Sequence, residues 1–70
     1  MEIKSPMSGS VWKVEVSEGD TVAAGDVCII LESMKMEIPI EAIDAGIVKE
    51  IKVAEGEFVQ EGDSVLTFEK

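Results

Sequence analysis

The chain has 70 residues, with six lysines and no arginine against fifteen Asp and Glu, giving a net charge of −9. A chain this short forms one small domain, residues 1–70, and buries only about 60% of its unfolded surface, which leaves no room for a deep substrate cavity. With one Trp, two Phe and no Tyr on an acidic background, neither phosphate binding nor base stacking is supported, and nucleic acid is excluded as an expected partner.

Nineteen residues are Val, Ile or Thr, stiff β-branched side chains that suit a pleated surface. Ile3 falls in a short first strand. Trp12, Val14 and Val16 alternate down a second. Glu18-Gly19-Asp20 turns the chain, Thr21-Val22 is a very short strand, and Gly25-Asp26 turns it again before Val27, Ile29 and Leu31 alternate down a fourth. Ile38, Ile40 and Ala42 then alternate, Asp44-Ala45-Gly46 turns, and Ile51 and Val53 alternate. Glu55-Gly56-Glu57 turns, Phe58-Val59 is short, Glu61-Gly62-Asp63 turns, and Leu66 and Phe68 complete the last strand. Many short strands with regular turns predict an all-β sandwich or barrel. The inward set is expected to be Ile3, Val14, Val16, Val22, Ile29 and Leu31 with Ile40, Ile51, Val53, Val59, Leu66 and Phe68. Val11 and Val48 stand out of phase with the residues that follow, which a bend or bulge explains. Pro39, on the face opposite Ile38 and Ile40, implies an edge strand or a strand start. Trp12 is expected in or over the sandwich with its ring edge exposed, and Cys28, with no basic neighbour, reads as a small buried hydrophobe.

An internal repeat orders these elements. At an offset of 37 residues all six glycines pair (Gly9 with Gly46, Gly19 with Gly56, Gly25 with Gly62), and ten of 33 aligned pairs are identical. Residues 1–33 form one copy and 38–70 the other. Two copies cannot build an open array, so each must close its core on its mate. The expected fold is a flattened barrel-sandwich hybrid of two four-stranded antiparallel sheets related by a pseudo-two-fold axis.

Met34, Lys35, Met36 and Glu37 lie between the copies. The two-fold relation exchanges this connection with the gap between Lys70 and Met1, which places the Lys35 turn and the chain termini at opposite ends. Two-residue hairpin turns favour Asn-Gly or Asp-Gly because their central residues need positive φ. None of Met34, Lys35 and Met36 suits that geometry, so the connection is either a strained tight turn or a longer relaxed loop. Two methionines flanking one lysine at a tip form a soft apolar patch around an amine.

The run Glu32-Ser33-Met34-Lys35-Met36-Glu37 resembles the attachment motif of biotinyl domains, and the similarity extends over the glycine-punctuated half-repeats and the Pro-Met-Ser-Gly opening at Pro6–Gly9. The resemblance implies a hairpin carrying a covalent cofactor, biotin, on Lys35, with Met34 and Met36 read by a biotin protein ligase and Glu32, Ser33 and Glu37 as the flanking motif. It further implies a non-catalytic carrier with no catalytic residue or metal ligand of its own, which shuttles carboxybiotin between biotin carboxylase and carboxyltransferase sites. Two features depart from parts of the family: no thumb loop separates Val14–Asp20, and Ser33 stands where Ala is commoner. No Ala/Pro-rich linker occurs, so the chain reads as a free-standing carrier or an excised domain, expected to be monomeric.

Three alternatives remain. A lipoyl carrier shares the fold but usually places Asp before the lysine, where this chain has Met34; lipoate is the alternative cofactor. An unmodified adaptor would leave Lys35 as a free amine. A Schiff-base enzyme needs a desolvated lysine, which a hairpin tip does not offer. The chain lacks His and has a single Cys, so imidazole bases, histidine metal sites and intramolecular disulfides are excluded. It opens on no signal-peptide pattern and holds no apolar run near the ~20 residues of a spanning helix. A cytoplasmic location with no membrane partner is expected.

Overall fold

The computed structural model describes residues 1–70 and contains eight strands and no helix: β1 Glu2–Lys4, β2 Gly9–Val14, β3 Thr21–Val22, β4 Val27–Ser33, β5 Met36–Glu41, β6 Gly46–Ile51, β7 Phe58–Val59 and β8 Ser64–Glu69. They form two antiparallel four-stranded sheets, in the orders β1-β8-β6-β3 and β5-β4-β2-β7. Adding 37 to the residue numbers of one sheet's first-copy strands gives the second-copy strands of the other. Each sheet therefore mixes strands from both copies, and neither copy holds a complete sheet.

The pseudo-symmetry extends to single hydrogen bonds. The Val14 N–H donates to Glu55 Oε2 (3.1 Å), and its counterpart at Ile51 donates to Glu18 Oε2 (3.3 Å). The Gly19 N–H reaches the Val48 carbonyl and the Gly56 N–H the Val11 carbonyl, both at 2.8 Å. These two glycines have φ of 92° and 93°, a turn conformation that a Cβ strongly disfavours. Asp20, Asp26, Glu57 and Asp63 each accept from the backbone N–H three residues earlier, closing the turns with local side-chain bonds.

The core is fully buried at Val11, Cys28, Ile29, Leu31, Val48, Val65, Leu66 and Phe68, with Ile3, Val22, Ile40, Ala42 and Val59 around them. The expected inward set is corrected at four positions: Val14, Val16, Ile51 and Val53 are only partly buried and pack against the margin of this cluster. These four lie at or beyond the ends of β2 and β6, and bulges earlier in the same strands bring Val11 and Val48 into the core instead. Register shifts between Val11 and Lys13 and between Val48 and Glu50 leave Trp12 and Lys49 as extra residues. Val11 and Val48 thus point inward ahead of the bulge, and Trp12 is carried to the outer face. A second symmetric pair was not legible in the alternation: shifts spanning Cys28 and Val65 bury the consecutive residues Cys28-Ile29 and Val65-Leu66. Cys28 is a buried free thiol, pushed up from its ordinary pKa by burial and secondarily by the Asp26 charge. Pro39 lies on β5, an edge strand, where a missing N–H costs the ladder least.

Candidate functional site

Strands β4 and β5 pair up to Ser33↔Met36, so the hairpin loop is two residues, Met34 and Lys35. Both have positive φ, 51° and 64°. This is the strained alternative of the two turn geometries, the conformation that Asn-Gly adopts readily and that bulky residues resist. Every other residue at positive φ is a glycine. Backbone strain at a site where the chain's other turns are well chosen points to function rather than to folding.

The side chains at this tip face solvent. Met34 is 91% exposed and Met36 63% exposed. Lys35 is exposed and takes part in no ion pair, whereas Lys4, Lys49 and Lys70 pair with Glu2, Glu69 and Asp44. Lys13 lies over the Trp12 ring, 5.9 Å from its centroid. Lys52 also lacks a carboxylate partner, but it follows β6 and sits on no hairpin tip. Glu32 and Glu37 face each other directly across β4 and β5, and Ser33 is half-buried at the base of the loop. The six motif residues are thus brought together, with the amine foremost and the carboxylates behind it.

A role for Gly9 was missed from the sequence. A Cβ there would lie 2.9 Å from the Glu32 carbonyl oxygen and 3.3 Å from Ser33 Cβ. The start of β2 therefore seats directly under the hairpin base, and the absence of a side chain permits that approach. The signal was present in the pairing of Gly9 with Gly46, which meets the Glu69 carbonyl oxygen and Phe68 Cδ2 in the same way, both at 2.6 Å.

The pocket of the domain lies elsewhere, on the β1-β8-β6-β3 sheet, lined by Glu2, Glu18, Lys49, Glu50 and Glu69 among others. There the Lys49 amine bonds Glu69 at 2.6 Å, which raises the lysine pKa and lowers that of the carboxyl. Lys35 is not part of that pocket.

A symmetric all-β scaffold that displays one amine on a strained tip, away from any cavity, defines a presenting module rather than a cleft. A family model described as "Biotin-requiring enzyme" matches residues 1–68, and the chain belongs to this biotin/lipoyl family. It is 54% identical over 66 residues to the biotin/lipoyl attachment protein of Bacillus subtilis (strain 168), covering 94% of this chain and 90% of that protein. Over 64 residues it is 47% identical to the biotinylated protein TB7.3 homolog of Mycobacterium leprae (strain TN), covering 91% and 90% of the two chains. Among solved structures, a single-chain, multi-domain long-chain acyl-CoA carboxylase superposes with a TM-score of 0.92 at 32% identity, covering 97% of this chain and 7% of that one.

Proposed function

We propose that this domain is a non-catalytic biotin carrier: a biotin protein ligase acylates Lys35, and the loaded domain serves the biotin carboxylase and carboxyltransferase sites of a biotin-dependent carboxylase. The observation that carries this reading is the lysine at positive φ on a two-residue loop between two exposed methionines. The residues fit the group. Amide attachment needs an accessible amine on a stem free of competing contacts, and Lys35 is exposed and in no ion pair.

In the attachment step the ligase removes a proton from the amine, and Nζ attacks the carbonyl of an activated biotin. With biotin activated as its acyl adenylate, the C–N amide bond would form as the acyl C–O bond to the phosphate breaks and AMP leaves. The lysine becomes neutral, so the net charge falls from −9 by one further unit. When bound, biotin supplies the atom that carries the carboxyl group, and the chain supplies position. The rigid hairpin fixes where the arm starts, and the four-carbon lysine stem lets it swing.

Intact-mass measurement after coexpression with a biotin ligase, and separately with a lipoate ligase, tests the reading. One biotinyl group per chain is expected. A chain loaded by the lipoate ligase alone would favour the lipoyl alternative, which the name of the Bacillus relative keeps in play.

A further inference from the structure

The two halves provide an internal control, because any pair of positions related by the pseudo-two-fold has the same structural task. Where the fold accepts a polar residue on one sheet and the other sheet exposes an aromatic one, folding does not account for the aromatic. On the sheet that carries Lys35, the outer face presents Trp12 (46% exposed) and Phe58 (65% exposed), with Ile30 and Pro39 beside them. Their counterparts on the other sheet are Lys49, Thr21, Thr67 and Glu2. Both exposed aromatic residues of the chain are therefore on one face. Phe58 pairs with Ser10, Ser10 with Glu32, and Glu32 with Glu37, so the patch runs in one row to the base of the hairpin.

Charge departs from the symmetry in the same place. Glu69 is neutralised by Lys49 at 2.6 Å. The equivalent pair is Glu32 and Trp12, so Glu32 has lost its cation, and Glu37 stands directly opposite it with none either. Like charges opposed across a ladder are unfavourable, and a cationic group from outside would relieve them.

Resting on the biotin-carrier reading, we infer that this outer face, centred on Trp12 and Phe58, is the docking surface of the enzyme that acylates Lys35, a ligase with an apolar recess rimmed by basic residues. Reach selects this partner over the carboxylase sites. The bare lysine stem spans only roughly 6 Å, five bonds of about 1.5 Å, so the acylating enzyme must close on the hairpin itself. An ordinary interface of about 800 Å² per partner is a disc of roughly 16 Å radius. Three residues of strand from Lys35 to Glu32 are about 10 Å, and two strand spacings across to Phe58 are also about 10 Å. Phe58 is therefore roughly 14 Å from Lys35, and a single interface of roughly 32 Å diameter centred near the two aromatics still covers the hairpin tip. An enzyme acting on the loaded arm stands off by the arm's added length and need not cover them.

The symmetry also supplies the test. Trp12→Lys with Phe58→Thr installs the residues that the opposite sheet already accommodates, so the fold should persist, with Lys at position 12 within reach of Glu32. Steady-state biotinylation by a biotin ligase should show kcat/KM reduced at least tenfold, through KM with kcat little changed, since large buried aromatics dominate such interfaces. Ile47→Ser, the same kind of exchange on the other sheet, should leave both constants unchanged. Wild-type kcat/KM in the folded double variant would overturn the assignment. So would an equal loss in Ile47→Ser, unchanged labelling with impaired carboxyl transfer (a carboxylase surface), or unchanged labelling with loss of a self-associated dimer. If the double variant does not fold, NMR titration of Lys35→Arg with the ligase decides: broadening of the Trp12 indole and the Ser10 and Phe58 amides supports the surface, and perturbation confined to the hairpin overturns it. Failure of the wild-type chain to be biotinylated at all would instead overturn the carrier reading, and this assignment with it.

Discussion

Met34 and Lys35 hold a backbone conformation that the rest of the chain reserves for glycine. Strain of this kind costs on the order of 1–3 kcal/mol per residue, and a change that relieves it should stabilise the domain while harming its use. Met34→Asn, which tolerates positive φ, is expected to raise the unfolding free energy by about 0.5–1 kcal/mol and to slow biotinylation, as read by urea denaturation and labelling rate. A variant less stable than wild type would mean that the methionine packs more than its exposure indicates. The two close-approach glycines should rank in a fixed order. Gly46→Ala meets a carbonyl oxygen and a buried ring at 2.6 Å, whereas Gly9→Ala meets its nearest atom at 2.9 Å. Overpacking typically costs about 1–3 kcal/mol, so Gly46→Ala should lose more stability. Gly9→Ala should lose more labelling, because its neighbours are Glu32 and Ser33. Reversal of the two rankings would remove Gly9 as the seat of the hairpin. The place of the motif, on a turn between the two copies, was legible in the sequence because it rests on residue identity and on position at the midpoint of a repeat. The close approach of Gly9 was not, since it depends on how the start of β2 meets the end of β4.

Among the strands, bulges decide which residues form the core. Val11→Ala and Val48→Ala remove methyl groups from fully buried positions and should cost roughly 2 kcal/mol each. Val14→Ala, half-buried past the bulge, should cost about half as much. Leu31→Ala and Phe68→Ala should cost about 2–5 kcal/mol. Equilibrium unfolding that found Val14 more costly than Val11 would contradict the register. Cys28 gives an independent check: its thiol is buried and held in the protonated form by burial and by Asp26. At pH 8 it should react with an aromatic disulfide reagent far more slowly in the folded chain than in denaturant, and rapid reaction in the folded chain would place it at the surface. Strict alternation read the first bulge pair from the phase of Val11 and Val48. It missed the second, because Val27, Cys28 and Ile29 are all apolar and a slip of one residue among them leaves no trace in the pattern. Val14, Val16, Ile51 and Val53 were expected inside for a different reason: they alternate with Glu15 and Lys52, and alternation gives the face a side chain takes but not its depth, so four residues at the margin of the cluster look like core.

The molecule as a whole is two copies that share their strands. Each sheet draws two strands from each copy, so residues 1–33 or 38–70 alone would leave every core side chain half-covered. Either half by itself should show no cooperative unfolding by circular dichroism, and an independently folded half would contradict the shared-sheet account. The repeat made the architecture legible, since a 37-residue offset with paired glycines allows few closed solutions. The same two-fold sets the hairpin opposite the chain ends, where Met1 and Phe68 exchange backbone hydrogen bonds, and leaves Lys35 unobstructed. Lys35 has five competitors, at Lys4, Lys13, Lys49, Lys52 and Lys70, all lying away from the hairpin tip. Peptide mapping by mass spectrometry of the wild-type chain and Lys35→Arg, each coexpressed with a biotin ligase, separates recognition of a shaped tip from simple amine reactivity. One biotinyl group on Lys35 in the wild type, and none on a folded Lys35→Arg, is the result expected; biotin distributed over several lysines, or persisting at full level in the variant, would contradict the central claim.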